Sequence, residues 1–189
     1  LNALNVDLLF GLAAALRAAQ SDASVRVIVL EGAGDRSFCA GEDLKQSLNP
    51  RTGSITELRE SLDQLQELTR FTSMARCVVI AAVQGFAVGG GVEIALGADF
   101  VIGGPATKFR FAEVPIGHAA TGGITLRLAH LVGLLKAKQL LLTGRWVEAD
   151  EALKIGMLSE IAEDPKARAL ALATELAALP SVSLTASKL

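Results

Sequence analysis

Residues 78–83 read Val-Val-Ile-Ala-Ala-Val with no polar break, whereas most other apolar positions recur every three or four residues. An unbroken apolar run rich in β-branched residues predicts a strand buried on both faces, as in a parallel sheet. Upstream, Leu8, Leu12, Ala15, Leu16 and Ala19 share one helical face, and Asn5 can cap a helix reaching about residue 20. Residues 25–30 predict a second strand, closed by the small and polar loop 31–36. Residues 37–44 continue as a brief extended piece with an Ala40-Gly41 step that leaves backbone open. After a loop at 49–53, Ser54-x-x-Glu57 has the spacing of a capping box. Leu58, Leu62, Leu65, Leu68 and Phe71 or Thr72 then mark one stripe of a helix to about residue 74. That helix would return the chain to the 78–83 strand in a right-handed crossover.

The second half has the same alternation. Short strands are predicted at 100–102 and 108–111 around the Gly103-Gly104-Pro105 turn. The pair Gly122-Gly123 opens a helix to about residue 142, with Gly144 as its stop. A short helix at 148–155 and an edge strand at 157–161 follow. Asp164 as N-cap with Pro165 in the first turn starts a last helix to about residue 179. Strands alternating with helices predict an α/β fold with a parallel sheet at its centre.

Composition narrows the function classes. With 189 residues, 51% of them hydrophobic, the chain can bury one sizeable core, and a single domain over 1–189 is expected. The net charge is −2 and the basic residues are scattered, which argues against nucleic acid or an anionic membrane as partner. No apolar run is long enough for a membrane span and no basic-then-apolar leader is visible, so a cytoplasmic protein is the expectation. Cys39 and Cys77 lack metal-ligand spacing and read as small buried hydrophobes in a reducing compartment. No metal site is expected.

The candidate chemistry sits after the 78–83 strand. Gln84-Gly85 breaks it, and Gly89-Gly90-Gly91 removes side chains from three positions just before a helix-compatible segment, 92–96. Bare amides at a helix start have no internal partner and can face an oxyanion, although a glycine triplet taken alone more often serves close packing. Phosphate-loop spacing is absent, and Ile94 stands where a dinucleotide fingerprint needs its third glycine. Glu93 is a carboxylate in an apolar helix start, and Glu113 a second isolated one in the loop 112–123. Each must find partners, take up a proton or do chemistry. Ala40-Gly41 offers a second set of exposed amides. His118 and His130 read as local hydrogen-bonding and structural residues, Asp99 as a backbone anchor, Arg110 as a strand-edge charge and Trp146 as packing. No G-x-S-x-G marks a serine hydrolase.

Three segments stand in register: Ser-Phe-Cys-Ala-Gly-Glu-Asp-Leu at 37–44, Gln-Gly-Phe-Ala-Val-Gly-Gly-Gly-Val-Glu at 84–93 and Ala-Glu-Val-Pro-Ile-Gly at 112–117. Together they resemble the crotonase, or enoyl-CoA hydratase/isomerase, family over nearly the whole chain. The resemblance implies a spiral of ββα units with a parallel sheet core flanked by helices, lacking the family's opening strand and terminal helices. It implies an oxyanion hole made by the N–H groups of Ala40 and Gly90, which would hold the thioester oxygen of an acyl-CoA. Ala40, Gly41, Glu42, Asp43, Leu44, Gly89 and Gly90 would line the substrate site. Glu93 and Glu113, twenty residues apart, match the family's two hydratase glutamates, Glu93 activating water for attack at Cβ and Glu113 exchanging the proton at Cα. No cofactor is implied, since coenzyme A is part of the substrate, and a homotrimer or dimer of trimers is. The loop 117–123 departs from the family pattern, lacking its proline and one residue, which leaves acyl preference open. Isomerisation of the double bond, or silent binding of CoA esters, are the alternatives the same resemblance carries.

Overall fold

A computed structural model describes residues 1–43 and 55–189. Helix α1 (Val6–Ser21) leads into strand β1 (Val27–Glu31), a turn, strand β2 (Ser37–Cys39) and helix α2 (Ile55–Met74). The pattern recurs as β3 (Val78–Val83), β4 (Phe86–Val88) and α3 (Gly90–Gly97), and again as β5 (Phe100–Gly103), β6 (Lys108–Arg110) and α4 (Ile124–Val132). The chain then adds α5 (Leu134–Thr143), β7 (Trp146–Glu148), α6 (Ala149–Lys154), β8 (Glu160–Ile161), α7 (Pro165–Ala177) and α8 (Ser181–Lys188). In each ββα unit the first strand joins one sheet and the second joins another. The first sheet has the order β1-β3-β5-β8, all parallel. In the second, β2-β4-β6-β7, only the β6–β7 pair is antiparallel.

This arrangement explains the uninterrupted apolar run. Every residue of β3 is buried, with Val79, Ala81 and Val83 in the main core and Val78, Ile80 and Ala82 in a smaller core completed by Ala169 of α7. Asn5 Oδ1 accepts the Leu8 N–H at 2.8 Å and Asp164 accepts the N–H groups of Lys166 and Ala167, so both expected N-caps form. Asp99 does anchor backbone, accepting the Val79 N–H at 2.7 Å. The capping box at Ser54 and Leu44 lie outside the described residues.

Several boundaries differ from the sequence reading. The single helix expected through residue 142 is two, because Gly133 adopts φ +81° and ψ 152° and turns α5 away from α4. Strand β4 lies within the stretch read as a turn, since three residues are too few to show a period. Residues 146–148 pair with β6, so the short helix starts only at Ala149. There the Arg110 guanidinium stands 5.5 Å from the Trp146 ring and its Nε donates to the Gly144 carbonyl at 2.8 Å. No single helix among the described residues is long and apolar enough to cross a membrane.

Candidate active site

Strands β2, β4 and β6 are neighbours and parallel, so the segments that follow them leave the sheet side by side. The carboxyl edge of parallel strands is where ligands bind in open α/β sheets. A cavity of about 150 Å³ opens there, and its lining includes Ala40, Gly41, Glu42, Gly89, Gly90, Glu93 and Glu113. Asp43 is not in the lining, and its N–H is donated to the Leu4 carbonyl at 3.1 Å.

Missing side chains let the two amide-bearing segments approach. A Cβ on Gly91 would stand 2.5 Å from the Cys39 carbonyl oxygen, and one on Gly41, where φ is +83°, 2.6 Å from that of Val88. Only glycine fits either position. Gly90 is the first residue of α3, and its N–H therefore has no intrahelical acceptor.

The second expected donor is corrected by the structure. The Ala40 N–H is already donated to the Leu1 carbonyl at 3.0 Å. Residues 1–4 run parallel to this segment, with Leu4 N–H bonded to the Gly41 carbonyl and Asp43 N–H to that of Leu4. In a parallel pairing those two bonds flank Glu42, whose own N–H therefore points away from residues 1–4. It finds no acceptor among the described residues, and Glu42 lines the cavity. Nothing in residues 37–44 themselves distinguishes the two amides; the strand laid beside them does.

Glu93 is 2% exposed. Its Oε1 accepts the Thr121 N–H at 3.0 Å and its Oε2 the Gly122 N–H at 2.8 Å. Burial pushes its pKa up to about 7, even though these two bonds oppose the shift, and the Glu113 charge adds to it. Thr121 and Gly122 are functional positions that sequence reading missed, because a backbone donor leaves no mark on residue type. Gly122 does carry one: a Cβ there would stand 2.5 Å from Glu93 Oε2.

Glu113 follows β6 and precedes a 3₁₀ turn, Val114–Ile116. Its Oε2 is buried without a hydrogen-bond partner among the described residues, and a Cβ on Gly89 would lie 3.0 Å from its Oε1. Burial raises its pKa; its own backbone N–H and the nearby His118 lower it, and Glu42 raises it. Glu93 and Glu113 thus share one small cavity with Glu42 and with the Gly90 amide, which has no acceptor among the described residues. His118 also lines this cavity, whereas His130 lies in the last turn of α4, away from it. Among the described residues no cluster of three His, Cys, Asp or Glu side chains could hold a metal ion.

The model of the enoyl-CoA hydratase/isomerase family matches residues 1–188, and the chain belongs to that family. It is 40% identical over 163 residues to the crotonyl-CoA hydratase of Syntrophomonas wolfei, covering 86% of this chain and 62% of that protein. The short-chain-enoyl-CoA hydratase of Clostridium acetobutylicum is 38% identical over 163 residues, covering 86% and 61%. Among solved structures, an enoyl-CoA hydratase from Bacillus anthracis superimposes with a TM-score of 0.91 at 30% identity, over 98% of this chain and 72% of that one. The fold is therefore the family's spiral of ββα units. The chain spans about three fifths of the length of the curated relatives named here.

Proposed function

We propose that this chain carries the catalytic part of an enoyl-CoA hydratase, a lyase that adds water across the 2,3 double bond of an acyl-CoA thioester. The observation that carries the reading is the convergence of Glu93, Glu113 and the Gly90 N–H on one cavity. The N–H groups of Gly90 and Glu42 hold the thioester oxygen and stabilise the enolate as charge reaches it. Ionised Glu93 takes a proton from water as its oxygen bonds Cβ, the π electrons pass into the enolate, and protonated Glu113 delivers a proton to Cα. The pair begins and ends with one proton between them, which matches two neighbouring acids that both resist ionisation. Relatives bearing crotonyl-CoA and short-chain-enoyl-CoA hydratase names support a short acyl chain. Coenzyme A enters as part of the substrate, and no further cofactor takes part in this scheme.

The test is hydration of short trans-2-enoyl-CoA esters, followed by loss of the conjugated thioester absorbance. Glu93→Gln and Glu113→Gln are each expected to lower the rate by about 10²–10⁴-fold, the usual worth of a positioned acid or base. Full activity in the double variant would refute the scheme. Binding without turnover by the intact protein would favour a silent CoA-ester-binding member instead.

A trimer or dimer of trimers belongs to the same reading. It is supported by the exposed Leu126, Leu134, Leu135 and Leu142 on α4 and α5, and a monomeric mass in light scattering would oppose it. Two unpaired buried cysteines support a reducing, cytoplasmic location.

A further inference from the structure

The described lining of the cavity contains three carboxyl side chains, Glu42 at the end of β2, Glu93 on α3 and Glu113 after β6. Against them stands a single basic side chain, the imidazole of His118. The polypeptide ties it to Glu113. The His118 N–H is donated to the Glu113 carbonyl at 2.8 Å, and Ile116 N–H to the same oxygen at 3.1 Å. Gly117 between them is left-handed at φ +80°. The turn thus brings residue 118 back over residue 113, whose Oε2 has no hydrogen-bond partner among the described residues.

We infer that His118 is a positioning residue for Glu113, its side chain sharing the cavity with the carboxyl pair and offering the basic group that favours an ionised acid there. The inference rests on the hydratase reading. An imidazole ordinarily gains its charge just below neutral pH, where a buried pair of acids would otherwise both become protonated and lose the base. Glu42 and Glu93 act in the opposite sense, since each adds negative charge beside Glu113. The direction of the electrostatic effects agrees: His118 lowers the Glu113 pKa and Glu42 raises it. His118 acts through Glu113 and forms no bond to a reacting atom.

The experiment compares kcat/KM against pH for hydration of a short enoyl-CoA by the intact protein, His118→Gln and His118→Lys. His118→Gln should move the acid limb upward by about one pH unit and leave the alkaline limb in place, because an imidazole ordinarily carries its charge on the acid side. His118→Lys, cationic throughout, should hold the acid limb at or below its original position and draw the alkaline limb down. A uniform loss of rate with both limbs unmoved would overturn the inference and leave His118 a packing residue. A second readout needs no turnover: carboxyl-carbon NMR titration, with the Glu113 resonance assigned by its loss in Glu113→Gln. Glu113 should titrate at higher pH in His118→Gln than in the parent, and an unchanged midpoint would equally overturn the inference. If the parent protein hydrates nothing, the hydratase reading fails alone and the titration still decides for or against His118.

Discussion

A glutamate that is 2% exposed and nonetheless bonded by two amides stores a pH dependence of folding. Its folded pKa of about 7 lies above the ordinary 4.5, so the native state keeps its proton where the unfolded chain has released it. The stability this group contributes is therefore full below pH 4.5 and is lost as the pH rises to about 7. The loss should be on the order of 3 kcal/mol. Denaturant midpoints measured across that window should fall for the parent and fall less steeply for Glu93→Gln, in which the raised Glu113 remains. A second expectation concerns Cys39, whose thiol burial pushes up to about 11. It should resist alkylation at pH 8 in the native protein and react once unfolded. At this scale the residue types of the site were legible, because glutamates amid apolar neighbours are conspicuous. The choice between the Ala40 and Glu42 amides was not, since it depends on the bonds that residues 1–4 make.

Among the elements, α3 depends most on what its residues lack. All eight are buried, and Gly91 meets Cys39 while a Cβ on Gly97 would lie within bonding reach of Thr72 Oγ1. Gly91→Ala is expected to destabilise the fold by about 1–3 kcal/mol and to depress hydration, because α3 must move off the end of β2 and carry the Gly90 amide with it. Gly133→Ala is the control. Nothing lies within 4 Å of its added Cβ, yet φ is +81°, so it should cost about 1–2 kcal/mol and leave kcat/KM unchanged. Thermal melts alongside the hydration assay separate the two effects. The long elements were legible from periodicity. The short second-sheet strands were not, because a three-residue strand such as β4 gains its identity from the neighbours it bonds.

For the molecule as a whole, the end of α8 is locked beneath the sheet. Lys188 Nζ, its side chain 5% exposed, donates to the carbonyls of Thr72 and Cys77 and pairs with Asp99 Oδ2 at 2.8 Å. Lys188→Met would leave those acceptors without their cation, and a loss of about 3 kcal/mol is expected in chemical denaturation. Hydrogen exchange should show α8 opening before β3. None of these residues lines the cavity, so activity measured well below the melting temperature should persist.

Sequence by itself determined the α/β alternation, the doubly buried strand at 78–83, the caps at Asn5 and Asp164, and the two acids beside a glycine-rich turn. These follow from local periodicity, from residues with special backbone freedom, and from charges placed where burial penalises them. Only the tertiary structure decided which second amide is free, that Thr121 and Gly122 orient Glu93, and that His118 shares the cavity with Glu113. Those outcomes rest on backbone donors and on the parallel alignment of β2, β4 and β6, neither of which is encoded in the type of any one residue.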